Sequence, residues 1–229
     1  MLLNDGKGNF VDVTDTWMPG LKQLGMVKDA VWVDLDGDKD LDLAIALEWG
    51  GVEGFIREGN GFQKKPISVK KGWWNTIKAV DIDRDGDQDL LLGNQGENSR
   101  IRPTIAEPVR LYYDDVDGNG LKEQLVTYYL KGQEIPFAGK GELDKQIPSL
   151  KKTFLYAGDY AKADVRQIFG SDKLNKAKQF TAETFSHICL LNRGKMNFEE
   201  QTLPYFTQWS CYRDFVIFDY NADGLNSIS

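Results

Sequence analysis

The chain has 229 residues, 41% of them hydrophobic and 28% charged, a globular composition that excludes wholesale disorder. Its longest apolar runs, such as 43–47 and 215–218, fall far short of the roughly 20 residues that a membrane-spanning helix needs. The formal net charge of −7 is concentrated: four short acidic loops hold 15 of the 35 Asp and Glu residues, so the acidity is gathered into cation-sized pockets. No basic patch with interleaved aromatics is present, which argues against nucleic acid as a partner.

The first ten residues, MLLNDGKGNF, show no basic region followed by an apolar stretch, so no signal peptide is visible. Residues 4–10, NDGKGNF, form a Gly/Asn turn ending in Phe, and the same kind of turn returns as EGNGF at 58–62 and NRGKMNF at 192–198. A second element alternates with it. It reads DLDGDKDLD at 34–42, DIDRDGDQD at 81–89, DVDGNGLKE at 115–123 and DYNADGLNS at 219–227.

Each acidic element follows a β-type run (AVWV, IKAV, RLYYD, FVIF), and the first three precede another (LAIAL, LLLG, QLVTYY). The pattern is strand–acidic turn–strand, a hairpin with a highly charged loop. The intervals Phe10–Asp34, Phe62–Asp81 and Phe198–Asp219 are 24, 19 and 21 residues. Two hairpin turns per repeat imply four strands per repeat, the size of a propeller blade.

The acidic loops start 47, 34 and 104 residues apart, and the last interval holds a different kind of sequence from about 132 to 185. Leu143, Ile147, Leu150 and Phe154 recur at the spacing of one helix face, with Pro148 starting or kinking a helix. Val165, Ile168, Phe169, Leu174 and Ala177 continue in short helical pieces. This segment, rich in lysine (Lys140, Lys145, Lys151, Lys152, Lys173, Lys176, Lys178), is read as a helical insertion in one blade. It is either a solvated cap or a partner surface.

Other residues carry less. Trp49, Trp73 and Trp74 sit near strand ends, where they either pack between blades or stack on sugar faces. Tyr112–Tyr113 and Tyr128–Tyr129 flank the third loop, and strand alternation puts one of each pair in the core. Cys189 and Cys211 are expected as free thiols, with pairing open only if adjacent strands bring them together. His187, the one histidine, is expected to be structural and makes a serine-type triad improbable.

Chemically, the second loop crowds Asp81, Asp83, Asp85, Asp87 and Asp89 into nine residues. Two carboxylates about 5 Å apart repel by roughly 3 kcal/mol at an effective dielectric near 20. No Lys or Arg cluster nearby in sequence offers relief, whereas a hard cation with six to eight oxygen ligands does, and Ca²⁺ fits better than Mg²⁺. An EF-hand is excluded, because position 12 is Ile45, Leu92 and Val126 in the first three copies and the flanks are strands.

Strand–D-x-[DN]-x-[DN]-G-x-x-D–strand units alternating with N-x-G-x-G-x-F turns resemble the FG-GAP/VCBS repeats of integrin-like β-propellers. In that family positions 1, 3, 5 and 9 supply side chains and position 7 a carbonyl to Ca²⁺. The resemblance implies a first site of Asp34, Asp36, Asp38 and Asp42 with the Asp40 carbonyl. The second would use Asp81, Asp83, Asp85 and Asp89 with the Asp87 carbonyl. The third would use Asp115, Asp117, Asn119 and Glu123 with the Leu121 carbonyl, and the fourth retains Asp219, Asn221 and Asp223. Lys39 stands where the first loop would have Gly, so a left-handed turn there would be strained.

The expected fold is all-β with a helical insertion: a partial β-propeller of three to four blades, each a four-stranded antiparallel sheet. Residues 1–131 would form blades with three calcium loops, 132–185 the insertion, and 186–229 a further blade with a truncated loop, the whole looking like a piece of something longer. The expected function is a calcium-binding, non-enzymatic adhesion or binding module for a protein or glycan ligand. The ligand would be reached through 132–185 or through Trp49, Trp73 and Trp74. Weak calcium loops of this kind imply an extracellular, cell-surface or periplasmic setting. The alternatives are a scaffold domain of a calcium-dependent polysaccharide-processing enzyme and a purely structural array. Open blade edges leave self-association open.

Overall fold

The computed structural model describes residues 1–221, 223, 227 and 228. The chain divides into two compact units, Met1–Ser99 with Phe185–Ser229, and Arg100–Thr184. The first unit begins with β1 (Leu2–Asn4), β2 (Phe10–Asp12), α1 (Thr14–Trp17), β3 (Met26–Val33), β4 (Asp42–Glu58), β5 (Gly61–Trp73), β6 (Thr76–Val80) and β7 (Asp89–Gly93). The second unit contains β8 (Val109–Asp114), β9 (Glu123–Leu130), β10 (Gln133–Pro136), five short helices α2 (Lys140–Gln146), α3 (Leu150–Thr153), α4 (Ala157–Tyr160), α5 (Val165–Phe169) and α6 (Ser171–Lys176), then β11 (Lys178–Ala182). The chain returns to the first unit with β12 (Ile188–Asn192), β13 (Phe198–Thr202), β14 (Ile217–Phe218) and β15 (Ser227–Ile228).

The molecule is mostly β, and every strand pairing is antiparallel. In the first unit one sheet is β3-β4-β5 and another is β13-β12-β7-β6. The second unit holds β10-β9-β8-β11, and β1-β2 and β14-β15 are two-stranded ribbons. Among the described residues no sheet closes on itself.

Strand alternation decides which residues meet. In β4, Ala44 and Ala46 point into a core with Leu90, Leu92, Ile188 and Leu190 of the neighbouring sheet. The intervening Leu43, Ile45 and Leu47 join Met18, Phe55 and Phe62 on the other face. The same alternation splits β7 and β12, with Leu91, Cys189 and Leu191 turned to a core that includes Phe215. Both faces of these strands are buried, which explains why they read as continuous apolar runs rather than alternating ones. Asp29 also ties the two sheets together, accepting from Thr76 Oγ1 at 2.8 Å and the Ile77 amide at 3.0 Å. The register of the long β4 against β5 shifts between Glu48 and Glu53, and there the Ser68 carbonyl lies so close that a Cβ on Gly51 would stand 2.2 Å from it.

The helices expected within 132–185 are present, but Leu143, Ile147, Leu150 and Phe154 do not share one continuous helix. Pro148 disfavours helical backbone at Ile147 (φ −128°, ψ 80°), so α2 ends and α3 starts afresh. All four side chains still pack in one core with Tyr112, Leu125, Ile168 and Leu174. The segment separating β7 from β12 is longer than 132–185: it begins before β8, and the third acidic hairpin falls in the same compact unit as the helices. Beside that core, buried Glu134 accepts from Thr127 Oγ1 at 2.6 Å and Tyr112 Oη at 3.1 Å, and pairs with Arg110 at 2.9 Å. Burial pushes the Tyr112 hydroxyl up to about 12.

Candidate metal centres

All four acidic elements connect antiparallel strands in one register. The residue before position 1 pairs with position 9: Val33 with Asp42, Val80 with Asp89, Asp114 with Glu123, and Phe218 with Ser227. The same eight-residue connection therefore recurs in length, and in the first three copies it brings acidic side chains together.

Within each of the first three loops the backbone turns left-handed twice, at positions 4 and 6. The φ values are 83° and 75° at Gly37 and Lys39, 63° and 97° at Arg84 and Gly86, and 80° and 88° at Gly118 and Gly120. The sequence pointed to position 6 alone, so the strain expected at Lys39 has a counterpart at Arg84 that the motif did not reveal. A non-glycine residue in this region costs about 1–2 kcal/mol.

The carboxylate at position 1 caps these turns. Asp34 accepts from the Gly37 amide at 2.8 Å and the Lys39 amide at 2.9 Å. Asp115 does the same for Gly118 and Gly120, both at 2.8 Å. These amides, Gly120's foremost, hold the Asp115 carboxyl below the usual carboxylate range. In the second loop only one such bond forms, from Gly86 to Asp81 Oδ2 at 3.2 Å, and the buried Asp81 Oδ1 has no hydrogen-bond partner.

Position 9 lies inside the protein. Asp42, Asp89 and Glu123 are all buried, and each accepts the amide of position 2: Leu35 at 2.9 Å, Ile82 at 2.8 Å, Val116 at 2.7 Å. Asp42 also accepts from the Arg57 amide and Asp89 from the Asn192 amide, both at 2.8 Å. Burial pushes the Asp42 and Asp89 carboxyls above the ordinary range against the pull of these amides, and the neighbouring aspartates push the same way. A bound cation acts in the opposite sense on every one of these groups.

Three groups of acidic side chains have ligand atoms within 4.8 Å of one another: Asp34, Asp36 and Asp42; Asp81, Asp83 and Asp85; and Asp115, Asp117 and Glu123. Hard oxygen donors at this spacing, together with an orphaned buried carboxylate oxygen, fit a cation such as Ca²⁺. Asp38 and Asp40 lie outside the first group and Asp87 and Asp89 outside the second. Asn119 instead accepts from the Leu121 amide at 2.7 Å, which turns that carbonyl-bearing residue back on the loop. In the fourth loop Asp223 accepts from Asn221 Nδ2 at 2.8 Å, and its amide faces Asp219 at 3.2 Å. Residues 222 and 224–226 of that loop lie outside the described residues.

No Lys or Arg cluster stands at the second loop among the described residues, but the fold brings one basic side chain to it from far along the chain. Arg193, 104 residues beyond Asp89 in sequence, contacts Asp83 through Nη1, stands 3.9 Å from Asp85 and 3.0 Å from Glu199. Nothing local in the sequence marks it, because strand pairing of β12 with β7 brings it there.

Of the two readings of the tryptophans, packing holds for Trp49 and Trp74. Trp74 is wholly buried and Trp49 nearly so, the latter 4.3 Å from half-buried Trp73 centre to centre, so they present no open ring face. Tyr112 and Tyr128 are core residues and their neighbours Tyr113 and Tyr129 are not. Cys189 and Cys211 are free thiols. His187 is fully buried, its Nδ1 accepting the Asn94 amide at 2.8 Å and its Nε2 facing the Ser210 carbonyl at 2.8 Å, and it stacks on Tyr212. Burial lowers its pKa, so it is a neutral structural group.

Comparison with known proteins gives two findings. Residues 34–92, spanning the first two acidic loops, match the FG-GAP-like repeat family. The chain is similar to integrin alpha-IIb of Homo sapiens, with 31% identity over 100 residues that cover 36% of this chain. It spans about a tenth of the length of that curated relative, the aligned part being 10% of the integrin.

Proposed function

We propose, from the match of residues 34–92 to the FG-GAP-like repeat family, that the chain is a calcium-stabilised segment of an integrin-like β-propeller, serving as a non-enzymatic binding or adhesion module outside the cytoplasm. The observation that carries the reading is the threefold recurrence of one loop geometry, with acidic side chains converging in each copy. Asp34, Asp36 and Asp42 would hold one ion, Asp81, Asp83 and Asp85 a second, and Asp115, Asp117 and Glu123 a third. Asp38, Asp89, Asn119 and the carbonyls of Asp40, Asp87 and Leu121 would complete the shells. The ions would neutralise carboxylates that otherwise repel, and would lock the two left-handed turns of each loop. Bound in this way they are structural, consistent with a module whose sheets carry recognition surfaces rather than reacting groups.

A protein ligand is favoured over a glycan, since Trp49 and Trp74 are buried. The exposed lysines of the helical segment, Lys145, Lys151, Lys152, Lys173, Lys176 and Lys178, supply a contact surface suited to an acidic partner.

Thermal melts followed by tryptophan fluorescence test the proposal. All six tryptophans lie in residues 1–99 or 185–229, so the signal reports the unit that holds the first two loops. Linkage gives about 1.4 kcal/mol per site at ten times Kd, so Ca²⁺ should raise the midpoint over EDTA by several degrees and Mg²⁺ should do so less. Identical melts in EDTA and in Ca²⁺ would overturn it.

A further inference from the structure

The second loop is built differently from the other two, and the difference centres on the turn between β12 and β13. That turn lies against the loop at three points. The Asn192 amide donates to Asp89, Arg193 reaches Asp83 and Asp85, and a Cβ on Gly194 would stand 3.5 Å from Asp87 Oδ2. In the neighbouring sheet the residue at the same offset is Arg57, at the turn-proximal end of β4 and five before Phe62 as Arg193 is five before Phe198. Arg57 comes no nearer than 3.9 Å to Asp40, at position 7 of the first loop, and leaves positions 3 and 5 free. Arg193 bonds the carboxylate at position 3 directly and stands 3.9 Å from the one at position 5. In the same loop the capping bond to Asp81 Oδ1 is missing and the acidic group gathers positions 1, 3 and 5 instead of 1, 3 and 9.

We propose that Arg193 is a tethered counter-ion of the second loop, which neutralises Asp83 and Asp85 while no divalent cation is bound and must release them when one binds. The inference rests on the calcium reading of these loops. Its consequence runs against a count of charges: a loop with five aspartates fills after the third loop, which has two aspartates and a glutamate. Glu199 gives the mechanism a second resting place, because it holds the same guanidinium through Nε at 3.0 Å and keeps it when Asp83 lets go. The guanidinium is always charged at physiological pH, so release has to come from competition by the cation and not from loss of a proton. Arg193 thereby links loading of the second loop to the position of the β12–β13 turn.

The test is a Ca²⁺ titration of ¹⁵N-labelled protein, following the amides of Gly37, Gly86 and Gly120 as separate reporters of the three loops. In the unaltered chain Gly86 should reach its midpoint at a higher Ca²⁺ concentration than the other two. Arg193→Ala should lower the Gly86 midpoint about tenfold, near the lower end of what one hydrogen bond between charged groups contributes, and leave Gly37 and Gly120 in place. Glu199→Gln should move the Gly86 midpoint the other way, since Arg193 then has only the aspartates. Both side chains are partly solvent-exposed, so these variants keep the core intact. An unchanged Gly86 midpoint in Arg193→Ala, with Gly37 and Gly120 still responding to Ca²⁺, would overturn the role of Arg193 alone. No response from any of the three amides would overturn the calcium reading and this inference with it.

Discussion

Asp89 should matter to folding even with no metal present. Its buried carboxylate accepts the Ile82 amide, which closes the second loop, and the Asn192 amide, which anchors the end of β12, each at 2.8 Å. Asp89→Ala removes both acceptors, and each stranded donor costs about 1–3 kcal/mol. Relief of the buried charge, whose pKa burial has already raised, offsets part of that. The expected net loss is about 2–4 kcal/mol in EDTA. With a urea dependence of about 2 kcal/mol/M, the unfolding midpoint should fall by about 1–2 M. Asp89→Asn keeps one carbonyl oxygen and should lose about half as much. Urea unfolding in EDTA, read by tryptophan fluorescence, measures both variants on the relevant unit. An Asp89→Ala midpoint within 0.3 M (about 0.6 kcal/mol) of the parent in EDTA would show that position 9 is only a ligand and that the two amides do not depend on it.

Relief of left-handed strain is the second expectation: Lys39→Gly and Arg84→Gly should each stabilise by about 0.5–1 kcal/mol in the same assay, whereas Gly86→Ala should destabilise by at least as much. Gly51→Ala places a Cβ 2.2 Å from the Ser68 carbonyl and should lower the midpoint severely, with loss of β4–β5 pairing visible by amide exchange. His187 supplies the pH dependence. Its folded pKa is held below the unfolded value of about 6.5 by burial, so the unfolded chain takes up the proton first. Stability from this group is full above about 6.5 and is lost as pH falls through the folded pKa. Melts between pH 7.5 and 5 should show that decline, and His187→Gln should flatten it.

The acidic hairpins were legible because nine-residue spacing between β-type runs leaves the chain few ways to pair, and the structure repeats one register in every copy. The position-4 turns were not legible, because Arg84 occupies one of them and its side chain gives no sign of a positive φ. Position 9 read as a cation ligand from the family pattern, while its burial and its two amide contacts depend on strands distant in sequence. Arg57 and Asn192 supply those contacts, and only the folded sheets show it. Distance in sequence hid Arg193 for the same reason. Leu143, Ile147, Leu150 and Phe154 share one core, as residues of one helix face would, although Pro148 breaks the helix that the spacing implied. Trp74 directly follows the end of β5 as expected, whereas Trp49 falls in the middle of the long β4; packing covers both, which a tryptophan's position along its strand does not reveal.

Metal content decides the central claim most directly. Protein dialysed to equilibrium against Ca²⁺ in the millimolar range expected of extracellular loops should retain at least two ions per chain by atomic emission. The Asp34→Ala and Asp115→Ala variants should each retain one fewer, with Mg²⁺ failing to compete at equal concentration. Retention no greater than the dialysis buffer, or equal retention by the parent chain and both variants, would contradict the account.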